Sequence, residues 1–310
     1  MRQSGYAKQE TPEVAARIDA LATHYRGVVR ATLEPLVAAY YPDLLSSSLD
    51  EYRKMLELST KMTLVGHACT EISGYEFDEA RQRTAALFGG CCFLADSFLD
   101  DFGTEATRAY MERFATLLST GWFEIHSDRE RLFYVIIARL FLKRDVLDPI
   151  VRQAILRLHM AQVTDVRLRL DPAGMKSLSK RGRWTVLRDC ARNRSGHAII
   201  VLSTFLVPRI SLDFLTLIFS AGALVMYIDD HGDCYTDLKD GRITYMNQIR
   251  NPERVLRRIF AGHMSKLEEG FPCGNGRDLL LGFLVRYYRT RLAKHRHQKL
   301  MGGRAWDVYE

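Results

Sequence analysis

Helical spacing of apolar residues recurs along the chain, whereas the alternating pattern of a β-strand is scarce. The segment Thr11-Pro12-Glu13 combines an N-cap residue, a proline at the first helical position and an acid in the first turn. Ser48 and Glu51 occupy capping-box positions at the start of another helix. Only eight prolines occur in 310 residues, which leaves room for long helices. The sequence therefore predicts an all-α fold.

About ten helices are expected, separated by breaks that contain glycine or proline. After the two helices that follow Thr11 and Ser48, the candidates are residues 76–101, 104–124, 128–143, 146–170, 180–206, 211–240, 252–269 and 276–297. No repeat, low-complexity tract or linker divides the chain. We therefore predict a single domain over residues 1–310, with residues 1–10 and 298–310 as candidate tails.

The composition is that of a globular protein, with 47% hydrophobic and 26% charged residues. Six cysteines without CxxC spacing, and an N-terminus without an apolar signal core, predict a reducing cytoplasmic location. The uncharged run 214–228 has 15 residues, fewer than the roughly 20 of a membrane-spanning helix, so no stable membrane insertion is expected. A net charge of +7 suits an anionic ligand, but it is too diffuse to indicate nucleic acid.

Aspartates follow the apolar run 85–94, where a buried helix pattern would place none. Asp96 and Asp100 are four residues apart, so on a helix their carboxylates share one face, and Asp101 stands beside them as a substitute. Like charges at this spacing repel, and a bound divalent cation is the usual way to offset that cost. A single pair of this kind is also typical of a solvated helix face, and that alternative stays open.

A second acidic stretch follows the apolar run 214–228. Asp229, Asp233 and Asp237 are spaced i, i+4 and i+8, which predicts a ladder down one helical stripe. Mg²⁺ accepts one or two carboxylates together with water and phosphate oxygens. Two acidic helix ends at the mouth of an apolar bundle therefore indicate a metal–diphosphate site. Residues 229–240 are not expected to form an EF-hand, because Asp233 rather than a glycine lies near the turn position and no glutamate closes the loop.

The stretch DDHGDCYTDLKDGRITYMNQI, residues 229–249, resembles the second metal motif of the squalene/phytoene synthase-like branch of class I isoprenoid (terpene) synthases. Within that branch it is nearest in pattern to the tetraprenyl-β-curcumene synthase-like group, the class IB terpene synthases. The matching positions are Asp229, Asp233, Asp237, Leu238 and Gly241. The resemblance covers about residues 50–295 and is specific only around this motif.

The resemblance implies a helical bundle around a central apolar cavity, with Mg²⁺ as cofactor, on the order of three ions. It implies a cyclase that ionises a linear prenyl diphosphate (C15–C25) to an allylic cation, which cyclises and loses a proton as diphosphate is released. The carboxylates it assigns to catalysis are Asp96, Asp100, Asp229 and Asp233, and its metal ligands are these four with Asp101, Asp230 and Asp237.

Arginine forks fit phosphate oxygens, and aromatic faces stabilise carbocations. The predicted diphosphate ligands are Arg194, Arg242, Arg286 and Tyr287, and the predicted pocket residues are Phe93, Phe98, Phe219, Gly222 and Tyr227. For the aromatic residues, ordinary core packing is the alternative. Gly222 either makes room for substrate or lets two helices pack closely. Asp165 either faces the pocket or pairs with Arg169 at i+4.

Two rival functions stay open. A head-to-head prenyltransferase of the squalene/phytoene synthase type would need a second diphosphate site, and the N-terminal Ser-Phe-Tyr type segment of those enzymes has no clear equivalent in residues 1–45. A non-catalytic helical protein would carry the acids on a solvated face. The expected partner is the linear prenyl diphosphate alone, and the sequence leaves open whether the chain is a monomer or a homodimer.

Overall fold

The computed structural model describes residues 10–101, 104–142, 148–170 and 172–301. Within these ranges it leaves the side chains of residues 97–101, 104–105, 169–170, 172–173 and 176 undescribed. The described residues form helices joined by short turns, and no β-strand occurs among them. The all-α prediction is therefore confirmed.

The helices begin and end close to the predicted breaks. They are α1 (Pro12–Tyr40), α2 (Asp43–Ser46), α3 (Leu49–Ile72), α4 (Glu79–Asp101), α5 (Thr104–Thr120), α6 (Asp128–Phe141), α7 (Pro149–Leu170), α8 (Pro172–Ser177), α9 (Lys180–Leu206), α10 (Leu212–Gly232), α11 (Cys234–Lys239), α12 (Pro252–Gly270) and α13 (Asn275–Leu300). A 3-10 turn spans Met246–Gln248. The last three residues of α13 fall within the segment expected as a C-terminal tail.

Side-chain caps explain several of the helix starts. Ser211 accepts a hydrogen bond from the backbone N–H of Phe214 at 3.1 Å at the start of α10. Asn251 does the same for Arg254 at 3.2 Å at the start of α12. The predicted capping box at Ser48 is wrong in detail. α3 does begin directly after Ser48, but at φ −126° and ψ 43° its side chain makes no cap hydrogen bond.

The chain divides into two compact units by its backbone contacts. Among the described residues, the C-terminal unit comprises those of 157–200 and 211–301 with residues 10–12, and the N-terminal unit comprises those of 13–156 and 201–210. Two of these boundaries fall inside α7 and α9, so at these points a helix rather than a linker joins the units. The single-domain organisation stays a prediction.

Close helix packing organises the N-terminal unit around α3 and α4. Gly89 on α4 faces Ser59 on α3 so closely that an added Cβ would lie 2.9 Å from the Ser59 Cβ. Likewise, a Cβ added to Gly90 would lie 3.0 Å from Cδ2 of Leu33 on α1. Small residues at such positions let helix backbones approach, so that large residues nearby, such as Ile136, become fully buried.

A polar chain links α1 to α3 within this unit. The Tyr25 hydroxyl lies 2.7 Å from Nδ1 of His67, and Nε2 of His67 lies 3.1 Å from the Glu71 carboxylate. Arg17 pairs with the other side of Glu71 at 2.9 Å. Burial lowers the pKa of His67 despite the nearby Glu71 charge, so the ring is neutral. Its Nε2–H then donates to Glu71, and Nδ1 accepts from Tyr25.

Replacing Tyr25 by phenylalanine should lower the free energy of unfolding by about 1 kcal/mol, because Nδ1 of buried His67 loses its donor. Urea denaturation measures this value. Tyr40→Phe on the same helix is the matched control, since the Tyr40 hydroxyl makes no hydrogen bond within the part of the chain that the structure describes. Equal stability of the two variants would contradict the assigned hydrogen bond.

All six cysteines are free thiols, and Cys273 is the exposed one. Burial raises the pKa of the Cys69, Cys91 and Cys190 thiols to about 12, and it raises the pKa of Cys92 and Cys234 well above the ordinary value.

We expect a chromogenic disulfide reagent to titrate one fast thiol in the native protein, and Cys273→Ser to remove that phase. Two or more fast thiols would contradict this expectation, and the half-buried Cys91 and Cys92 would be the first candidates for the additional phase.

Among the described helices, α10 has the length and apolar composition that could cross a membrane, with a mean hydropathy of 1.6. It is longer than the uncharged run suggested, 21 residues, because polar residues at both ends continue the helix. Within the fold, 56% of its apolar window is buried, which is compatible with a core helix. α10 packs against α12 and α13, and this packing positions its acidic end.

Candidate functional site at the acidic end of helix α10

The apolar body of α10 ends at Ile228, which is fully buried, and the next two residues are aspartates. Helix α13 packs along this end of α10, and Gly232 on α10 leaves space for a side chain of α13. An added Cβ at Gly232 would lie 2.8 Å from Cδ of Arg291. The Arg291 stem therefore lies across the end of α10, with its guanidinium among the aspartates.

Asp229 is held by two residues of α13. The Tyr287 hydroxyl donates a hydrogen bond to Oδ1 of Asp229, and Nη2 of Arg291 pairs with the same oxygen. Nε of Arg291 in turn donates to the Tyr287 hydroxyl at 3.1 Å, and its guanidinium lies 5.3 Å from the centroid of the Tyr287 ring. Burial, reinforced by the Asp229 charge, raises the pKa of Tyr287 well above its ordinary value. The phenol therefore stays a proton donor.

Asp233 shares Arg291 with Asp229. Nη1 of Arg291 lies 3.4 Å from Oδ1 of Asp233, and Nζ of Lys294 pairs with the same oxygen. One guanidinium thus spans both carboxylates, which requires their oxygens to converge on a common point. The structure brings these two predicted ligands together and supplies them with two cations from one helix.

The predicted continuous ladder of aspartates is wrong beyond Asp233. α10 ends at Gly232, and Asp233 links it to the short helix α11 at φ −103° and ψ 4°. Glycine is a weak helix former, and Arg291 occupies the face of the helix at this position. Asp237 lies on α11, where its backbone N–H donates to the Asp233 carbonyl at 2.8 Å. Asp229 and Asp237 are therefore on separate helices, with Asp233 between them.

A glycine turn closes α11. Gly241 adopts φ +71°, and the N–H groups of Gly241 and Arg242 donate to the carbonyls of Leu238 and Asp237 at 3.1 Å and 2.7 Å. Arg242 thus takes a defined place just after the acidic segment, where its own carbonyl accepts a hydrogen bond from Nδ2 of Asn247 at 2.9 Å.

Charged residues of α7 and α9 act electrostatically on Asp230. Burial raises the pKa of Asp230 well above its ordinary value, the charges of Asp237 and Asp229 raise it further, and Arg194 opposes them. Arg194 pairs with Asp165 at 3.2 Å, and the Cys190 thiol lies 3.6 Å from the same carboxylate. Asp165 therefore pairs with Arg194 of α9, and the predicted pair with Arg169 falls on a side chain outside those that the structure describes.

Arg286 has a different partner from the neighbouring Tyr287. Its Nε lies 3.9 Å from Glu10, and Arg289 pairs with the other oxygen of the same carboxylate. On a helix, Arg286 and Arg289 share one face, while Tyr287, Arg291 and Lys294 share another. The Glu10 contact therefore uses a different stripe of α13 from the aspartate contact.

Three of the predicted pocket residues lie between α10 and its neighbours. An added Cβ at Gly222 would collide with the Ser195 carbonyl and lie 2.9 Å from Cα of Gly196, so this glycine serves close packing of α9 and α10. The Phe219 ring lies against Gly196 and 5.1 Å from His197, ring to ring. Tyr227 is buried, and its hydroxyl donates to the Arg188 carbonyl at 3.4 Å.

The first acidic motif lies on α4, as predicted, in the N-terminal unit. Asp96 is partly buried, and its charge adds to the effect of burial in raising the pKa of Cys91 and Cys92. Phe93 is also partly buried on this helix. The side chains of Phe98, Asp100 and Asp101 lie outside those that the structure describes. That the two acidic motifs meet stays a prediction.

Sequence reasoning missed Arg291 and Lys294. Their signal was available in the spacing of residues 287, 291 and 294, which places a tyrosine and two cations on one face of the last helix. Arginine and lysine are frequent in this chain, 44 residues in all, so the stripe is conspicuous only once Asp229 and Asp233 are placed beside it.

Asp229 and Asp233 together could supply part of the ligand shell of a metal ion. Among the described residues, no group of three histidine, cysteine, aspartate or glutamate side chains is arranged to hold a metal. Mg²⁺ commonly takes only one or two carboxylates and completes its shell with water and substrate phosphate oxygens. Two convergent carboxylates with cations beside them are suited to that mode of binding.

No family model matches the chain, and no curated protein matches it significantly in sequence. The family resemblance of residues 229–249 therefore stays a prediction. Any function must be proposed from that motif together with the chemistry of the site.

Proposed function

We propose that the protein is a Mg²⁺-dependent class I terpene synthase that converts a linear prenyl diphosphate (C15–C25) to a cyclic hydrocarbon and free diphosphate. The observation that carries this proposal is the convergence of Asp229 and Asp233 on one guanidinium at the end of a buried apolar helix. Carboxylates, cations and a neutral phenol at one point are the groups that a metal–diphosphate ligand requires.

In the proposed reaction, the bond between the allylic carbon and the diphosphate oxygen breaks, and its electron pair leaves with the diphosphate. A double bond of the same chain gives its π electrons to the carbocation and closes a ring. The new cation then loses a proton to the released diphosphate and becomes a neutral alkene. Bound Mg²⁺ would neutralise the charge that develops on the leaving group. Arg291 and Lys294 hold the departing oxygens, and Tyr287 donates a hydrogen bond.

The apolar surface of α10 suits the other half of the substrate. Its residues from Phe214 to Ile228 carry no charge, and many are buried in the fold. An allylic cation survives only where water is excluded, so an acidic site that directly adjoins apolar helices favours ionisation over simple binding of diphosphate. A cytoplasmic location, and Arg194 and Arg242 as further diphosphate ligands, belong to the same proposal.

Incubating the full chain separately with farnesyl, geranylgeranyl and geranylfarnesyl diphosphate, with and without Mg²⁺, tests the proposal. Gas chromatography should show hydrocarbon of unchanged carbon number with at least one substrate, and only when Mg²⁺ is present. Products of doubled carbon number would replace the cyclase by a head-to-head prenyltransferase. No diphosphate release from any substrate would overturn the proposal.

A further inference from the structure

The two convergent carboxylates are already neutralised by the chain itself. Asp229 and Asp233 together carry two negative charges, and Arg291 and Lys294 return two positive charges at contact distance. We infer that Arg291 and Lys294 are built-in counter-ions that move from the aspartates to the diphosphate when ligand binds, so that metal and diphosphate bind cooperatively. This inference rests on the proposed function, since it takes the metal and diphosphate from it.

Charge arithmetic gives the reason. A divalent cation that approaches alone meets carboxylates whose charge is cancelled, and it is repelled by a guanidinium that stays protonated at any ordinary pH. A diphosphate that approaches alone finds Arg291 and Lys294 already paired with the carboxylates. When both arrive, the metal takes the aspartate oxygens and the two side chains turn to the diphosphate, so each ligand removes the obstacle to the other.

The surroundings of Arg291 and Lys294 permit such a movement. Lys294 is the more exposed of the two cations, with 40% of its side chain exposed, whereas Arg291 is 20% exposed. The Arg291 stem is fixed against Gly232 and its guanidinium rests over the Tyr287 ring. Lys294 is therefore the cation that can leave with least disturbance of packing, and Arg291 turns about a fixed stem.

Two of the predicted diphosphate ligands form ion pairs with acids outside the predicted metal ligands. Arg194 pairs with Asp165, and Arg286 pairs with Glu10. Within the residues that the structure describes, the ion-pair partners of Arg291 and Lys294 are Asp229 and Asp233. Displacement from these two carboxylates is therefore tied directly to occupation of the proposed metal site.

Equilibrium dialysis of Mn²⁺ against the full chain, with and without inorganic diphosphate, tests the coupling. Dialysis counts protein-bound metal directly, because Mn²⁺–diphosphate in solution is equal on both sides of the membrane. For the natural sequence we expect diphosphate to tighten Mn²⁺ binding by about tenfold or more. Lys294→Gln should bind Mn²⁺ alone about fivefold more tightly, and it should gain less from diphosphate.

Lys299→Gln is the matched control, since Lys299 is an exposed lysine on the same helix and its loss removes the same charge. Its Mn²⁺ binding, with and without diphosphate, should match that of the natural sequence. A difference between the two lysine variants would then be due to the contact of Lys294 with Asp233 and not to the loss of a positive charge in general. Arg291→Gln should change metal binding in the same direction as Lys294→Gln, and circular dichroism checks that each variant remains helical.

Two results would overturn the inference. If Mn²⁺ binds equally well with and without diphosphate, or if Lys294→Gln and Lys299→Gln are alike, the counter-ions do not couple the ligands. Formation of a cyclic product would still support the proposed function in that case. If Mn²⁺ binds in neither condition, the inference fails, and product formation that still requires Mg²⁺ would show that the metal binds elsewhere.

Discussion

Replacing Asp229 and Asp233 together by asparagine is expected to reduce Mg²⁺-dependent diphosphate release roughly a thousandfold or more. Asparagine keeps the shape of each side chain but removes the negative charge that a hard cation requires. Arg291 and Lys294 would remain and would still attract diphosphate, so substrate binding should weaken far less than turnover. Colorimetric release of inorganic diphosphate, followed at saturating substrate, measures the change in kcat.

Asp240→Asn provides the matched control for this double variant. Asp240 is an exposed acid in the same segment, just after α11, and its backbone N–H donates to the Thr236 carbonyl. Its replacement removes a charge without touching the site, so kcat should stay within about twofold of the natural value. Similar rates for the double variant and this control would mean that the acidic end of α10 takes no part in catalysis.

Gly222→Ala is expected to lower the free energy of unfolding by about 2 to 3 kcal/mol. The added methyl group would collide with the Ser195 carbonyl and lie 2.9 Å from Cα of Gly196, so backbone rather than a flexible side chain must move. Separating α9 from α10 would also open contacts around the Phe219 ring. Thermal or urea denaturation followed by circular dichroism measures the loss.

The same substitution at Gly262 should have the opposite sign. Gly262 lies inside α12, and an added Cβ meets no atom within 4 Å. Alanine there should stabilise the protein by roughly 0.5 to 1 kcal/mol, because glycine is the poorer helix former. If both variants were stabilised, the close approach of α9 and α10 at Gly222 would be refuted.

Local sequence chemistry predicted the helix starts and ends because those signals act within a few residues. Thr11-Pro12 starts α1, and Asn251-Pro252 marks the start of α12. The break at Asp233 was harder to predict, since aspartates at four-residue spacing suit an uninterrupted helix. At the break stands Gly232, a weak helix former, and Arg291 from another helix occupies the face beside it.

Partners distant in the chain account for most of what sequence reasoning missed at the site. Arg194 pairs with Asp165 at 3.2 Å, which spacing along α7 could not predict, whereas the predicted partner Arg169 has a side chain outside those that the structure describes. The sequence left two roles open for Gly222, room for substrate or close helix packing. The position of the Ser195 carbonyl beside it decides for helix packing. Spacing within one helix gives the face on which a residue lies, but it does not give the residue that will meet it.

The order of synthesis gives the α13 cations a further consequence. Tyr287 and Lys294 lie 58 and 61 residues after the aspartates they contact. During translation, the apolar helix α10 and the two aspartates at its end therefore leave the ribosome well before their partners on α13 do. Until α13 has been synthesised, the nascent chain exposes an apolar helix that ends in two unpaired negative charges. Chaperones act on intermediates of this kind.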